Sequence, residues 1–246
     1  MKYSHLFQAL CVAGLLAASQ SAMASTITAN YLGSADFGSG QVGYGNGSVW
    51  PNPSHPVSGP VSMVGVGVGG DQFSNASKTP GLTSTFNTWC VDINHWLTGS
   101  YIYNVGGTTE LDAVFGSSRV NDLQTLADER YSKLHTQADS AAFQLATWAI
   151  MFGTELGGKY NLNDATFKTS NGITGGALAT SWLNSLGGTT PNTGNYKITY
   201  LYDNDNRNPT QDLVVFTPSP VPLPAAAWLF GSAMLGFISL SNRRKV

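Results

Sequence analysis

The order of strand-like and helix-like segments is the feature that most constrains the fold of this 246-residue chain. From Ser25 to about Tyr103, short β-branched or apolar segments alternate with turns and loops rich in Gly and Pro, which is typical of strands and their connections. Helical spacing of apolar residues follows over three segments, about 119–135, 136–153 and 175–188. Two more strand-like segments, 196–203 and 211–218, end the body. Strands, helices and strands again predict an α+β fold, a β-rich domain with a central helical segment, rather than alternating βαβ units.

Two segments of the body are defined more sharply than the others. The sequence STFNTWCVDINHWL, residues 84–97, predicts the strongest strand. Strand alternation puts six of its residues on one face, namely Phe86, Thr88, Cys90, Asp92, Asn94 and Trp96. Thr136 begins a Thr-Gln-Ala-Asp capping box, which predicts where the helix over 136–153 starts.

The first 24 residues have the organisation of a secretory signal peptide. Lys2 precedes the apolar stretch LFQALCVAGLLAA, and Ala22 and Ala24 are the small residues of a cleavage site before Ser25. We expect residues 1–24 to be removed during export through the Sec translocon. The extracellular domain would then comprise residues 25–217.

The other end of the chain carries a second apolar segment. Residues 225–240 form an uncharged run of about 16 residues, which as a helix would span roughly 24 Å of a hydrocarbon core about 30 Å thick. Three basic residues follow, where a positive cluster stays on the cytoplasmic side of a membrane: Arg243, Arg244 and Lys245. The pattern predicts a single C-terminal transmembrane helix.

The residues around this helix resemble the PEP-CTERM sorting signals of Gram-negative bacteria. The matching motif is Val221, Pro222, Leu223, Pro224 and Ala225, followed by the apolar run and the basic cluster. On this resemblance, residues 218–246 are a sorting signal that an exosortase recognises and cuts near the Pro motif. The helix would then be a temporary membrane anchor, and the processed protein would reach the cell surface, the extracellular matrix or a biofilm.

The charge of the domain limits the partners that it can bind, and its cysteine content excludes an internal disulfide. The chain has 12 Lys and Arg against 14 Asp and Glu; without Lys2 and the three basic residues near the C-terminus, 8 remain against 14, a net charge of −6. Such a surface disfavours nucleic acid. Of the two cysteines, Cys11 lies in the signal peptide, so the mature chain keeps only Cys90 and cannot form an internal disulfide.

A buried amide is predicted near this lone thiol. An apolar stripe runs along the helix over 136–153, comprising Ala141, Leu145, Trp148 and Phe152. Gln144 lies within this stripe, and a buried amide without partners costs roughly 1–3 kcal/mol. We expect Cys90 to be the residue that meets Gln144.

The two residues and their neighbours resemble the thioester domains of Gram-positive surface adhesins. The matching sequences are Trp89-Cys90 on a strand and Phe143-Gln144, with Trp148 four residues after the glutamine, on a helix. The resemblance implies that the Cys90 sulfur attacks the Gln144 carbonyl, releases ammonia and leaves a thioester that can capture an amine-bearing surface. The residues leave a second interpretation open, in which Cys90 and Gln144 are a structural packing pair.

These patterns favour a secreted, exosortase-processed surface or matrix protein with a structural or adhesive role. We expect no enzyme activity, no catalytic residues, no metal and no cofactor. Exopolysaccharide is the alternative partner to an amine-bearing surface. The composition is also compatible with a protein that only fills the exopolysaccharide layer. A polysaccharide-acting hydrolase or carbohydrate-binding protein is the alternative function, for which four tryptophans could line a groove: Trp50, Trp89, Trp96 and Trp182.

Overall fold

The computed structural model describes residues 25–44, 64–93, 95, 97, 99–155, 159–164, 166–186, 193–203 and 210–219. The predicted signal peptide with Ala22 and Ala24 lies outside these residues. So do the Val-Pro-Leu-Pro-Ala motif, the helix over 225–240 and the basic cluster at 243–245. Among the described residues, none of the helices combines the length and the apolar character needed to cross a membrane.

The described residues form seven strands and four α-helices. The strands are β1 (Ser25–Tyr44), β2 (Val64–Asn75), β3 (Thr85–Cys90), β4 (Ser100–Gly106), β5 (Phe167–Thr169), β6 (Tyr196–Tyr202) and β7 (Leu213–Pro218). The helices are α1 (Thr108–Phe115), α2 (Ser117–Arg130), α3 (Gln137–Phe152) and α4 (Gly176–Ser185), with a 3-10 turn, Tyr131–Lys133, after α2. The α+β class and the central position of the helices are therefore confirmed.

Six of the strands close into an antiparallel barrel. The pairings run β2-β3-β7-β6-β4-β1, and a further pairing between β1 and β2 joins the two ends of the series. Three aromatic side chains pack against one another in its core: Phe73 stacks on Phe86 at 6.2 Å and meets the edge of Tyr103 at 6.4 Å. A closed barrel leaves no strand edge unpaired along most of its length, which protects the edges from pairing with other chains.

The 20-residue strand β1 makes this closure possible. Its first part pairs with β4, its middle and end with β2, and its last three residues with β5. The register with β2 shifts between Tyr31 and Gly33 and again between Ser34 and Asp36. Gly33 has a φ of +119°, which a residue with a side chain rarely adopts. Irregularities of this kind bend a strand, so one strand can follow several neighbours.

Helix α3 is enclosed by the rest of the protein. Every residue from Ser140 to Met151 is buried, because the helix packs on β1, β2, β3 and α4. Its start is the predicted capping box: the Thr136 hydroxyl accepts from the Asp139 backbone N–H at 3.2 Å, and Asp139 accepts from the Thr136 backbone N–H at 2.9 Å. At the other end, Arg119 donates to the carbonyls of Ile150 and Gly153. These bonds satisfy groups that a helix leaves unpaired at its ends.

Several boundaries differ from the sequence-based prediction. The strand expected over 84–97 ends at Cys90, so the alternation is not continued as a strand to Asp92. Asn94 and Trp96 lie outside the described residues. The helix expected over 119–135 is α2 followed by the 3-10 turn. Helix α1 and strand β5 were not predicted, because both are short and lack clear capping or alternation signals.

Candidate functional site

Cys90 lies at the end of β3, where this strand no longer pairs with β2 but still pairs with β7. Phe86, Thr88 and Cys90 are buried on one face of β3, as the alternation predicts. Trp89 points to the opposite face and packs against Phe143 of α3, with ring centroids 5.2 Å apart. The thiol is therefore directed toward the barrel side of the sheet, away from the aromatic cluster that joins β3 to the helix.

Helix α3 inserts polar side chains between β2 and β3 at this point. The pairing of these strands ends with Asp71 opposite Thr88. Two residues farther along β3, Gln144 accepts from the Cys90 backbone N–H at 2.9 Å and donates to the Cys90 carbonyl at 2.9 Å. One turn earlier in α3, the Ser140 hydroxyl accepts from the Gly70 backbone N–H at 2.9 Å.

Gln144 thus takes the place of a neighbouring strand for one residue. Its side-chain amide offers the same donor and acceptor as a peptide group, so both backbone groups of Cys90 stay bonded although β2 no longer pairs there. The expectation that a buried Gln144 meets Cys90 is confirmed. The contact is with the backbone of Cys90.

The thiol of Cys90 contacts a different glutamine. It donates to Oε1 of Gln211 at 2.8 Å, in the segment that leads into β7. Gln211 is 3% exposed, and its Nε2 donates to the Asp92 carbonyl at 2.7 Å. The Gln211 carboxamide is therefore held by both ends, with its carbonyl beside the sulfur.

Sequence reasoning missed Gln211 as a site residue, although a signal was present. Gln211 alternates with Leu213 and Val215, both buried in β7, so it shares their strand face. An amide in the register of buried residues needs a partner, by the reasoning applied to Gln144. That its partner would be Cys90, 121 positions earlier in the chain, depends on the pairing of β3 with β7.

Neighbouring bonds fix the segment that carries Gln211. The backbone N–H of Val91 donates to the Asp212 carbonyl at 3.0 Å, which joins the end of β3 to this segment. The Asp212 carboxylate accepts from the Tyr200 hydroxyl at 2.5 Å and from the Asp203 backbone N–H at 2.8 Å. Burial raises the pKa of Asp212 to about 6. The segment is thus held at the residue that follows Gln211.

The buried carboxylate of Asp71 lies beside the thiol. Asp71 of β2 is 3% exposed, and its Oδ2 lies 3.7 Å from the Cys90 sulfur. The Tyr31 hydroxyl hydrogen-bonds to Asp71, whereas Oδ1 of Asp71 has no partner among the described residues. Burial raises the pKa of Asp71 to about 7, although the bonds from Tyr31 and Cys90 act to lower it.

The thiol itself is held in its protonated form. Burial raises the pKa of Cys90 well above its ordinary value, and the charges of Asp71 and Asp92 raise it further. The thiolate is the nucleophilic form of cysteine, so this thiol reacts only if a neighbouring group removes its proton.

The other candidate features of the sequence find less support in the geometry. Trp89 and Trp182 are 3% and 7% exposed, so neither forms a wall of an open groove, and Trp50 and Trp96 lie outside the described residues. Within the described residues, no group of three or more His, Cys, Asp or Glu side chains is placed to hold a metal ion.

No family model matches this chain, and neither a curated protein nor a solved structure is significantly similar to it. The chemistry of the site therefore follows from its own geometry. A buried thiol, a carboxamide carbonyl at hydrogen-bond distance from it and a carboxylate against the same sulfur are the groups that an acyl transfer to sulfur requires.

Proposed function

We propose that this protein is an exported cell-surface or matrix protein with an adhesive role, and that it carries an internal thioester between Cys90 and Gln211. The observation that carries the proposal is the 2.8 Å contact between the Cys90 sulfur and Oε1 of Gln211 in a buried site. Gln144 has a different role in this proposal. Both ends of its amide bond the Cys90 backbone, whereas the Cys90 sulfur bonds Gln211, so Gln144 positions the cysteine and does not acylate its sulfur.

The reaction exchanges one acyl bond for another. The Cys90 sulfur attacks Cδ of Gln211, the carbon–nitrogen bond of the carboxamide breaks, and ammonia leaves with the proton of the thiol. No oxidant or cofactor is needed. Fixing both groups in contact replaces a bimolecular encounter, which can contribute roughly 7–11 kcal/mol to lowering the barrier when the geometry is that of attack.

Burial suits the storage of such a bond. Cys90 and Gln211 are 5% and 3% exposed, so bulk water has little access to the thioester.

Amine capture would tether the protein covalently. A primary amine attacks the thioester carbonyl, an amide forms at position 211, and the Cys90 thiol is released. Each chain reacts once, so the protein is a stoichiometric adhesin and not an enzyme. The partner is an amine-bearing surface, and exopolysaccharide around the cell remains the alternative partner for the rest of the surface.

In the same proposal, the N- and C-terminal segments of the chain determine where the protein is located. Cleavage after Ala24 would leave β1 complete, because this strand begins at Ser25. Strand β7 ends at Pro218, so exosortase cleavage near the motif at 221–225 would leave the barrel strands complete as well. We propose export through the Sec translocon, transient anchoring by the helix over 225–240 and release to the cell surface.

Methylamine labelling tests the thioester and its position together. The full-length chain is incubated with methylamine, digested and mapped by mass spectrometry, with a Cys90→Ala chain as the control. We expect an N-methylamide at residue 211, a newly alkylatable Cys90, and no label in the control. A label at residue 144 would assign the bond to Gln144, and absence of label from both residues would refute the thioester.

A further inference from the structure

A proton must leave Cys90 before a thioester can form, and the site contains one group placed to accept it. The following inference rests on the thioester proposed above and concerns the catalyst of its formation. Asp71 is the buried carboxylate whose Oδ2 lies 3.7 Å from the Cys90 sulfur. The same sulfur contacts the Gln211 carbonyl, so the proton donor, its acceptor and the acyl carbon all belong to one cluster.

Strand alternation explains why Asp71 points there. Asp71, Phe73 and Asn75 are buried along β2, whereas Gln72 between them is exposed. The strand thus places a carboxylate in a row of inward-facing residues, where an unpaired polar atom is costly. Its Oδ1 is such an atom, without a partner among the described residues. A group that is buried and incompletely bonded in this way is better explained by a reaction than by stability.

We propose that Asp71 is the catalytic base of thioester formation. Its carboxylate accepts the proton of the Cys90 thiol as the sulfur attacks Cδ of Gln211. It then returns this proton to the nitrogen of the tetrahedral intermediate, so that the carbon–nitrogen bond breaks and neutral ammonia leaves. Asp71 is ionised again at the end, and one thioester and one ammonia replace one thiol and one carboxamide.

The surroundings of Asp71 determine how the reaction depends on pH. Among the described residues, the titratable groups facing it are Tyr31 from β1 and Cys90 from β3, while Asp92 acts on the thiol. The neighbours contributed by α3, Ser140 and Gln144, are neutral. Tyr31, whose pKa is raised to about 12 by its burial and by Asp71, stays protonated at neutral pH. Ionisation of Asp71 is therefore the step that limits the reaction below neutrality.

A rate that rises with pH and then levels off is the expected signature. The pKa of Asp71 is raised to about 7, so the active carboxylate form increases as pH rises toward this value. Above it, the rate should be constant until the thiol itself ionises at a much higher pH. Attack by a thiolate formed without Asp71 would instead give a rate that continues to rise tenfold per pH unit through this range.

The test follows ammonia loss in freshly synthesised chains. The full-length chain is made in a cell-free system with mild detergent, samples are quenched in acid at intervals, and intact mass reports the fraction that has lost one ammonia. The variant is Asp71→Asn, which keeps the size of the side chain. We expect it to lose ammonia at least about 100-fold more slowly than the unchanged chain, the usual range for removal of a general base.

The matched control is Asp128→Asn in α2. Asp128 is a partly buried carboxylate that accepts hydrogen bonds from Gln124, Gly194 and Tyr196 and none from Cys90, Tyr31 or Gln211 among the contacts of the described residues. We expect the control to lose ammonia at the unchanged rate. Protease resistance of each chain shows whether it has folded. If Asp71→Asn does not fold, the pH profile of the unchanged chain decides. A rate that levels off above neutrality supports catalysis by Asp71, and a rate that continues to rise with pH supports attack by a free thiolate.

The outcomes separate this inference from the proposed function. If the unchanged chain never loses ammonia, the thioester and the role of Asp71 are both refuted. If it loses ammonia and folded Asp71→Asn does so equally fast, the thioester stands and the role of Asp71 is refuted. A pH profile that rises through neutrality without levelling off would refute that role as well.

Discussion

At the scale of single residues, Gln144 shows how one side chain can bond the backbone of a strand where the neighbouring strand no longer pairs with it. The β2–β3 ladder ends at Asp71 and Thr88, and beyond it the Cys90 backbone would lack partners on that side. Gln144 supplies both bonds from a helix. Its 1% exposure means that water cannot replace it. The separation of β2 from β3 gives the Cys90 thiol its place between Asp71 and Gln211.

Replacing this amide by a hydrocarbon should destabilise the fold. We predict that Gln144→Leu lowers the free energy of unfolding by about 2–5 kcal/mol, because two buried backbone groups of Cys90 lose their partners. Chemical denaturation measures it, in chains that also carry Cys90→Ala so that no thioester contributes. Gln137→Leu at the exposed start of the same helix is the control, expected to change stability by about 0.5 kcal/mol or less. Equal effects of the two substitutions would contradict the bridging role of Gln144.

The contrast between Gln144 and Gln211 shows what the sequence can and cannot predict at this scale. Gln144 was predictable because helical spacing places it among buried residues within a segment of continuous pattern. The burial of Gln211 also had a signal in the sequence, but its partner did not, because the contact with Cys90 exists only once β7 has paired with β3. Asp71 was missed for the same reason: its strand was recognised in part, but its neighbour across the sheet was not.

At the scale of elements, the close packing of α3 and α4 depends on a glycine. Gly175, the residue before α4, has a φ of +78°. A Cβ atom there would lie 2.5 Å from the Ala142 backbone nitrogen and 2.8 Å from the Ala138 carbonyl oxygen. The start of α4 thus lies directly against the backbone of α3, the helix that carries Gln144.

A pair of glycine substitutions separates this contact from backbone strain. Gly172→Ala introduces a side chain at a similar φ of +73° with nothing within 4 Å, and we predict a cost of about 1–2 kcal/mol. Gly175→Ala should cost roughly 1–3 kcal/mol more, because it also overpacks the backbone of α3. Thermal or chemical unfolding of the two variants measures the difference. Similar costs for both would show that the helices can move apart without penalty.

Elements with a local signal were predictable, and elements without one were not. The capping box at Thr136 located the start of α3 correctly, because both of its bonds involve residues three apart. Helix α1 follows Gly107, which has no side chain to cap it, and buries only Leu111. Strand β5 has three residues, and its partner is the far end of β1. Such an element is defined by its neighbour and not by its own sequence.

At the scale of the whole molecule, the barrel brings together three segments that are distant in the chain. Asp71, Cys90 and Gln211 come from β2, from β3 and from the segment before β7, which are consecutive neighbours in the sheet. The sequence predicted an α+β domain but gave no indication of this strand order, because ring closure depends on pairing between distant strands. The site exists only in the complete barrel.

The proposed anchoring can be tested on the whole chain in a Gram-negative host that has an exosortase. We predict that deletion of Pro222–Val246 abolishes retention in the cell envelope and releases the domain directly, because the motif and the apolar helix are removed together. Fractionation with an antibody to the domain measures this. A chain with Arg243, Arg244 and Lys245 changed to Gln, and the motif and helix intact, distinguishes loss of the basic cluster from loss of the whole tail. Unchanged envelope retention of the deletion would contradict a sorting function of residues 218–246.

The central claim is that Cys90 is joined to Gln211 in the folded protein, and the intact mass of the untreated chain tests it most directly. The chain is purified, denatured in acid and weighed beside its Cys90→Ala variant, each compared with the mass that its own sequence predicts. Our account predicts that the unchanged chain is lighter than its sequence by one ammonia and resists thiol alkylation, while the variant has its full mass. A full mass for the unchanged chain, with Cys90 freely alkylated after unfolding, would contradict it.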